Sequence, residues 1–168
     1  VYKRQVVSGR PVVFNVVQAT DTKPHIHRRS LAWLDSCRQR GIRVYGQGLT
    51  TDAGYAFTLA DWNLFDECPA WREATVGTKR ERLVKLGDMN RRQSLRDQVP
   101  GFVTGPFENI VLTDPKSKEN LKWKDHTIGL IAEKTGKHVV DAMLDIAVSE
   151  ELETEFFSMP PNCKIEYL

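Results

Sequence analysis

The densest apolar run of the chain lies near its beginning, where residues 12–17 are all apolar except Asn15. A polar turn follows, then a segment with helical spacing that ends at Gly41, and then a second short strand pattern with Ile42, Val44 and Tyr45. This order predicts a strand, a helix and a second strand, joined as one crossover of a parallel sheet. Because the first run is apolar on both faces, we expect helices to cover both faces of that strand.

Polar side chains occur where these two strands are expected to end. Ligands of parallel α/β sheets bind beyond the carboxyl ends of the strands. The predicted substrate-binding residues are therefore the following polar residues: Asn15, Gln18, Gln47 and Thr50.

The first helix is expected from about residue 28 or 30 to residue 40, with Gly41 in the C′ position that favours glycine. Cys37 falls on the stripe that should face inward, together with Leu31 and Leu34. This pattern predicts that Cys37 belongs to the core.

The remaining chain continues to alternate between helix and strand signals, as expected for one domain of α/β type. A capping box at 78–81 predicts the start of a helix, and residues 109–113 have the pattern of a short strand. Residues 127–135 and 139–149 have helical periodicity and predict a helical hairpin. Residues 51–70 suggest a structured loop, whose aromatic side chains either line a pocket or pack into the core.

Composition limits the classes of partner. The 168 residues carry a formal net charge of +2, which favours neither nucleic acid nor a membrane surface, and no apolar stretch reaches the ~18 residues of a membrane span. Three cysteines with irregular spacing indicate reduced thiols and a cytoplasmic location. A small-molecule substrate is the expected partner. The main basic group is interpreted as a solvated helix face rather than a phosphate-binding patch: Lys79, Arg80, Arg82, Lys85, Arg91, Arg92 and Arg96.

Two short motifs offer other chemistry. His25 and His27 could bind one metal ion from an extended segment, although the neighbouring basic residues Arg28 and Arg29 disfavour a cation. Gly46-x-Gly48 after a strand resembles part of a dinucleotide-binding loop, but the third glycine of that motif is absent.

Several segments, taken in order, resemble one enzyme family: Gly9–Phe14, Gly41–Gln47, Phe65–Glu73, Asp88 with Arg91, and Asp125–Glu151. Within the last of these, a Gly-Lys pair (136–137) precedes an Asp-Ala-x-Leu-Asp motif (141–145). These features are similar to the N-acyl-D-amino-acid deacylases, or D-aminoacylases, in amidohydrolase family 3 of the metal-dependent amidohydrolase superfamily. The resemblance extends over most of the chain but includes no single catalytic motif.

The resemblance implies a TIM-like (β/α)8 barrel, of which this chain would contribute middle strands together with inserted and C-terminal helices. It also implies a hydrolase acting on a C–N bond that is not a peptide bond, with a zinc-bound water attacking the amide and an aspartate transferring the proton. The catalytic residues would lie outside this chain, which would be inactive without the remainder of its own barrel. Residues 1–5 resemble translated adaptor sequence, so we expect the barrel segment to comprise residues 6–168.

Two positions depart from the family pattern. Val16 stands where many members have a metal-binding histidine, and Gln47 stands where many have an aspartate. Because valine cannot bind a metal, zinc binding is doubtful in this chain. Two alternatives to hydrolysis therefore remain: a metal-free barrel that binds a small molecule, and an unrelated dinucleotide-binding α/β protein.

Overall fold

A computed structural model describes residues 7–19, 24–48, 54–61, 65, 68–98 and 105–158. The architecture is mixed α/β with small sheets, and the described residues form no closed barrel. They fall into two compact units. The described residues up to Gly48 form the N-terminal unit, and those from Gly54 to Ser158 form the C-terminal unit.

The N-terminal unit contains strand β1 (Val12–Val17), helix α1 (Ile26–Gln39) and strand β2 (Val44–Gly48). The two strands are parallel, which confirms the predicted crossover. The chain turns after α1 at Gly41, whose φ of 69° is readily adopted only by glycine. The N–H of the next residue, Ile42, donates a hydrogen bond to the carbonyl of Cys37, and this bond leads the chain back into β2.

Only one face of this two-stranded sheet is covered by α1. Cys37 is buried as predicted, and it packs with Val44 of β2 and Phe14 of β1. On the opposite face, Val13 and its register partner Tyr45 remain 65% and 59% exposed. The expectation that helices cover both faces of β1 is therefore wrong for the described residues.

Leu31 was predicted to lie on the inward stripe of this helix, but its side chain is 52% exposed, so that prediction is wrong. The residues of α1 that pack on the sheet are Trp33, Leu34 and Cys37. At ~100° per residue, Leu31 lies about 120° around the helix from Cys37 and so points away from the sheet.

The C-terminal unit contains helices interleaved with short strands. Its strands are β3 (Tyr55–Phe57), β4 (Val111–Asp114) and β5 (Glu155–Ser158). Its α-helices are α2 (Pro69–Thr75), α3 (Lys79–Gly87), α4 (Arg92–Asp97), α5 (Ile128–Thr135) and α6 (Val139–Ser149). Short 3₁₀ turns occur at Met89–Arg91, Phe107–Asn109 and Asn120–Trp123.

The elements predicted for this region are present. Helix α3 begins with the capping box, in which the backbone N–H of Glu81 donates to the Thr78 hydroxyl and the Glu81 carboxylate accepts from the Thr78 N–H. Helices α5 and α6 form the predicted hairpin, and Gly136 follows α5 with φ 65°. The sheet is larger than predicted, because β5 pairs antiparallel with both β3 and β4 and neither β3 nor β5 was expected.

Aromatic side chains form much of the core of this unit. Phe65, Trp71 and Phe107 contact one another, with ring centroids 4.7–5.7 Å apart. The indole N–H of Trp71 donates to the carbonyl of Leu95 at 3.0 Å, so its polar atom is satisfied within the core. Phe57 and Phe65 are buried. Of the two interpretations of residues 51–70, packing into the core is the one confirmed for these described aromatics.

Among the described residues, no helix combines the length and the apolar character needed to span a lipid bilayer.

Candidate functional site

Asn15 and Gln47 are brought together by the parallel pairing of β1 and β2. They are register partners on adjacent strands, near the carboxyl end of each, and both side chains are exposed. On the covered face, a Cβ added to Gly46 would lie 2.5 Å from Leu34 of α1, so Gly46 faces the helix. Because side chains alternate along a strand, Asn15 and Gln47 lie on the sheet face opposite α1.

Two neighbouring carboxamides can both donate hydrogen bonds to a polar ligand and accept hydrogen bonds from it. Each amide group offers an oxygen that accepts hydrogen bonds and a nitrogen that donates two. Adjacent strands lie ~4.8 Å apart, so two such groups can reach a single amide or carboxylate. Neither group carries charge, which makes the pair suited to a neutral amide of a substrate.

The other predicted strand-end residues differ in their placement. Gln18 is half-buried and follows the last residue of β1. Thr50 lies outside the described residues. Val16 is half-buried in β1, beside Asn15, and its isopropyl group supplies no ligand atom.

The two histidines considered for metal binding do not lie on an extended segment. His25 is the N-cap residue of α1, and His27 lies in its first turn. Residues two apart at a helix start face different directions, so the pair does not present two imidazoles to one point. The Nδ1 atom of His27 is buried and has no hydrogen-bond partner among the described residues.

The described donor groups at the strand ends do not fit a zinc ion. Zinc in proteins takes imidazole, thiolate or carboxylate ligands, whereas β1 and β2 offer carboxamides and a valine at these positions. Nowhere in the described part of the chain do three or more His, Cys, Asp and Glu side chains come together as a metal site.

The glycine motif is placed differently from a phosphate-binding loop. Gly46 and Gly48 both lie inside β2, where Gly46 pairs with Phe14 and Gly48 pairs with Val17. Phosphate-binding glycines lie instead in the turn between a strand and the start of a helix. Of the two, Gly46 serves strand packing, because it gives room to Leu34, whereas a Cβ at Gly48 would meet no atom within 4 Å.

A cluster of arginines and carboxylates joins α4 to α6 in the C-terminal unit. Arg92, only 3% exposed, lies 3.4 Å from Asp141 and 3.0 Å from Asp145. Arg96 pairs with Asp141, and Lys137 pairs with Asp145 at 2.7 Å. The interpretation of Arg92 as part of a solvated basic face is therefore wrong. Matching i, i+4 spacing of the two arginines and the two aspartates was the signal that could have revealed this cluster.

The cluster leaves two donors without an acceptor. The Nε atoms of Arg92 and Arg96 are buried and have no hydrogen-bond partner within the described ranges. Arg92 and Arg96 of α4 pair with carboxylates of α6, so the clearest effect of the cluster is to hold α4 against α6. Asp88 and Arg91, on which part of the sequence resemblance rests, likewise make structural contacts: Asp88 accepts from the N–H of Asn90, and Arg91 pairs with Asp88 at 3.5 Å and with Glu73.

Comparison of the chain with protein-family models, curated proteins and solved structures finds no match.

Proposed function

We propose that this chain is part of a metal-dependent amidohydrolase that hydrolyses a C–N bond other than a peptide bond, such as that of an N-acyl-D-amino acid. In this proposal β1 and β2 are neighbouring strands of a TIM-like barrel. The proposal rests on the sequence resemblance and on one structural observation. Asn15 and Gln47 are aligned and exposed near the carboxyl ends of two parallel strands, where barrel enzymes place their substrate-binding groups.

The location of α1 fits this arrangement. In a TIM-like barrel the helices cover the outer face of the strands, and the opposite face is turned toward the interior. Helix α1 covers one face of the β1–β2 pair, and the other face carries Val13 and Tyr45 followed by Asn15 and Gln47. Val13 and Tyr45 would then form a layer inside the barrel, and Asn15 and Gln47 would form the next layer toward the carboxyl ends of the strands, in contact with the substrate.

The role proposed for the two residues is substrate binding. One carboxamide would donate a hydrogen bond to the acyl oxygen of the substrate, and the other would accept from its N–H. A neutral hydrogen bond of this kind contributes about 1 kcal/mol, so its loss should raise KM about fivefold. The metal ligands and the proton-transferring aspartate of such an enzyme would come from outside the described residues.

The test uses the full-length protein that contains this chain. Release of free amine would be measured with paired N-acyl-D- and N-acyl-L-amino acids, together with the zinc content of the protein. We expect turnover of the D-substrates, and a severalfold rise in KM for Asn15→Ala and for Gln47→Ala. The control is Gln39→Ala, because Gln39 is an exposed glutamine of α1 that donates only to Asp35 of its own helix among the described contacts.

Val16 favours a second candidate, a barrel that binds a small molecule without hydrolysing it. This candidate predicts saturable binding of the same N-acyl-amino acids, weakened by the Asn15 and Gln47 substitutions, with no amine released and no zinc present. Absence of both turnover and binding across the panel would reject both candidates.

A further inference from the structure

The C-terminal unit contains a cavity of about 250 Å³ between helices α5 and α6 and the 3₁₀ turn Asn120–Trp123. Its apolar lining includes Ile131 and Ile146, which also belong to the hydrophobic core. The half-buried ring of Trp123 forms a further apolar surface. A ligand in this cavity would therefore contact apolar groups belonging to the core and an aromatic ring.

Charged side chains of both signs line the same cavity. Lys137 and Asp145 form an ion pair at 2.7 Å, and their side chains are 48% and 38% exposed. Lys122 lies 5.3 Å from the centre of the Trp123 ring, and Glu119 is exposed on the same turn of chain. The two lining ammonium groups and the two lining carboxylates carry equal and opposite charge, and Arg92 also pairs with Asp145 at 3.0 Å. The lining therefore offers partners for both charges of a zwitterion.

We propose that this cavity binds a free α-amino acid with an apolar side chain, in its zwitterionic form. The carboxylate of the ligand would bind a lysine ammonium, and its own ammonium would bind Glu119, because Asp145 is already paired with Arg92 and Lys137. The apolar side chain would pack on Trp123 and Ile146. Charges of both signs and an apolar surface thus lie within one cavity of about 250 Å³, as a zwitterion with an apolar side chain requires.

Two hydroxyl groups add acceptors to the lining. Thr135 donates its hydroxyl hydrogen to the carbonyl of Ile131 at 2.7 Å, and Ser149 donates to that of Ile146 at 2.8 Å. A hydroxyl whose hydrogen is engaged in this way still has a lone pair available to accept. An ammonium group, with three donors, can use such acceptors together with a carboxylate.

This inference does not depend on the proposed hydrolase activity. The cavity is built from residues of the C-terminal unit alone. Substitution of Asn15 or Gln47 should leave its ligand binding unchanged, and substitutions in the cavity can be measured by binding without any turnover.

The experiment is isothermal titration calorimetry of the purified protein with D- and L-leucine, combined with the indole N–H resonance of Trp123 in NMR spectra. We expect saturable heat and a shift of that resonance. Two analogues that each lack one charge, N-acetyl-leucine and isoamylamine, should bind about tenfold more weakly or worse, because each loses a charge-assisted hydrogen bond.

Lys137→Ala should weaken leucine binding about tenfold. The matched control is Lys134→Ala, because Lys134 is an exposed lysine of α5 that does not line the cavity. Lys122→Ala provides a second test if Lys137→Ala fails to fold, as judged by circular dichroism. The proposal is overturned if leucine gives no saturable binding up to its solubility limit, if the analogues bind as tightly as leucine, or if the cavity and control variants behave alike.

Discussion

Arg92 of α4 and Asp141 of α6 form an ion pair in which the arginine is almost completely buried. The Nη1 atom of Arg92 lies 3.4 Å from Oδ1 of Asp141. Its Nη2 atom lies 3.0 Å from Oδ1 of Asp145, which is one turn further along α6. One guanidinium thus joins two carboxylates on successive turns of a helix. The planar fork of an arginine offers two Nη atoms for such a contact, whereas a lysine would have to reach both carboxylates with a single nitrogen.

Removing one partner of this pair should destabilise the protein strongly. We expect Asp141→Asn to lower the free energy of unfolding by about 3 kcal/mol, since it leaves Arg92 and Arg96 with less compensating charge. Arg92→Lys, which keeps the charge but loses the guanidinium fork, should also be less stable than the wild-type protein. Urea unfolding monitored by circular dichroism measures the change. Arg80→Lys, at an exposed position of α3, serves as the control and should be neutral. A loss below about 1 kcal/mol for Asp141→Asn would show that the pair contributes little.

The carboxylate of Glu150 should make stability depend on acid pH. Burial alone would raise its pKa, but hydrogen bonds from the backbone N–H of Lys116 and from Thr154, Ser117 and Asn120 outweigh burial and lower the pKa from 4.5 to about 2. The folded pKa is depressed, so the stabilisation is present above pH ~4.5 and is lost as the pH falls through about 2. The shift corresponds to about 3 kcal/mol.

Denaturant unfolding at several pH values tests this prediction. Wild-type protein should lose about 3 kcal/mol of stability over the acid range because of this group. Glu150→Gln should be less stable at neutral pH and should lack this part of the pH dependence. Glu133→Gln, at an exposed position of α5, should keep the wild-type profile. An unchanged acid profile in Glu150→Gln would assign the dependence to other carboxylates.

Gly129 should not accept a side chain. A Cβ built there would lie 2.9 Å from the backbone oxygen of Glu108 and 3.3 Å from its Cα, so α5 packs directly on the backbone of the preceding 3₁₀ turn. Gly129→Ala should therefore cost about 1–3 kcal/mol through overpacking. Gly87→Ala is the matched control, because its Cβ would make only an ordinary contact with Val148 at 3.6 Å. Thermal unfolding would compare the two, and equal melting temperatures would contradict the expected clash.

Local signals in the sequence determined the elements whose stabilising interactions are themselves local. Gly41 after α1, the Thr78 capping box and the periodicity of residues 127–135 and 139–149 each act over one or two helical turns, and each element formed where it was predicted. The apolar run at 12–17 and the shorter pattern of Ile42, Val44 and Tyr45 similarly predicted two parallel strands. Their pairing placed two of the candidate residues, Asn15 and Gln47, side by side.

Tertiary structure decided the features that depend on distant parts of the chain. Strand β3 is three residues long and became a strand through pairing with β5, about a hundred positions further on, a partner that no local pattern specifies. The burial of Arg92 likewise required Asp141 to arrive from another helix, because burying a charged guanidinium costs free energy unless it is paired and hydrogen-bonded. Local sequence thus set helix limits and strand propensity, whereas contacts between distant segments set which charges are buried and which sheet faces stay open.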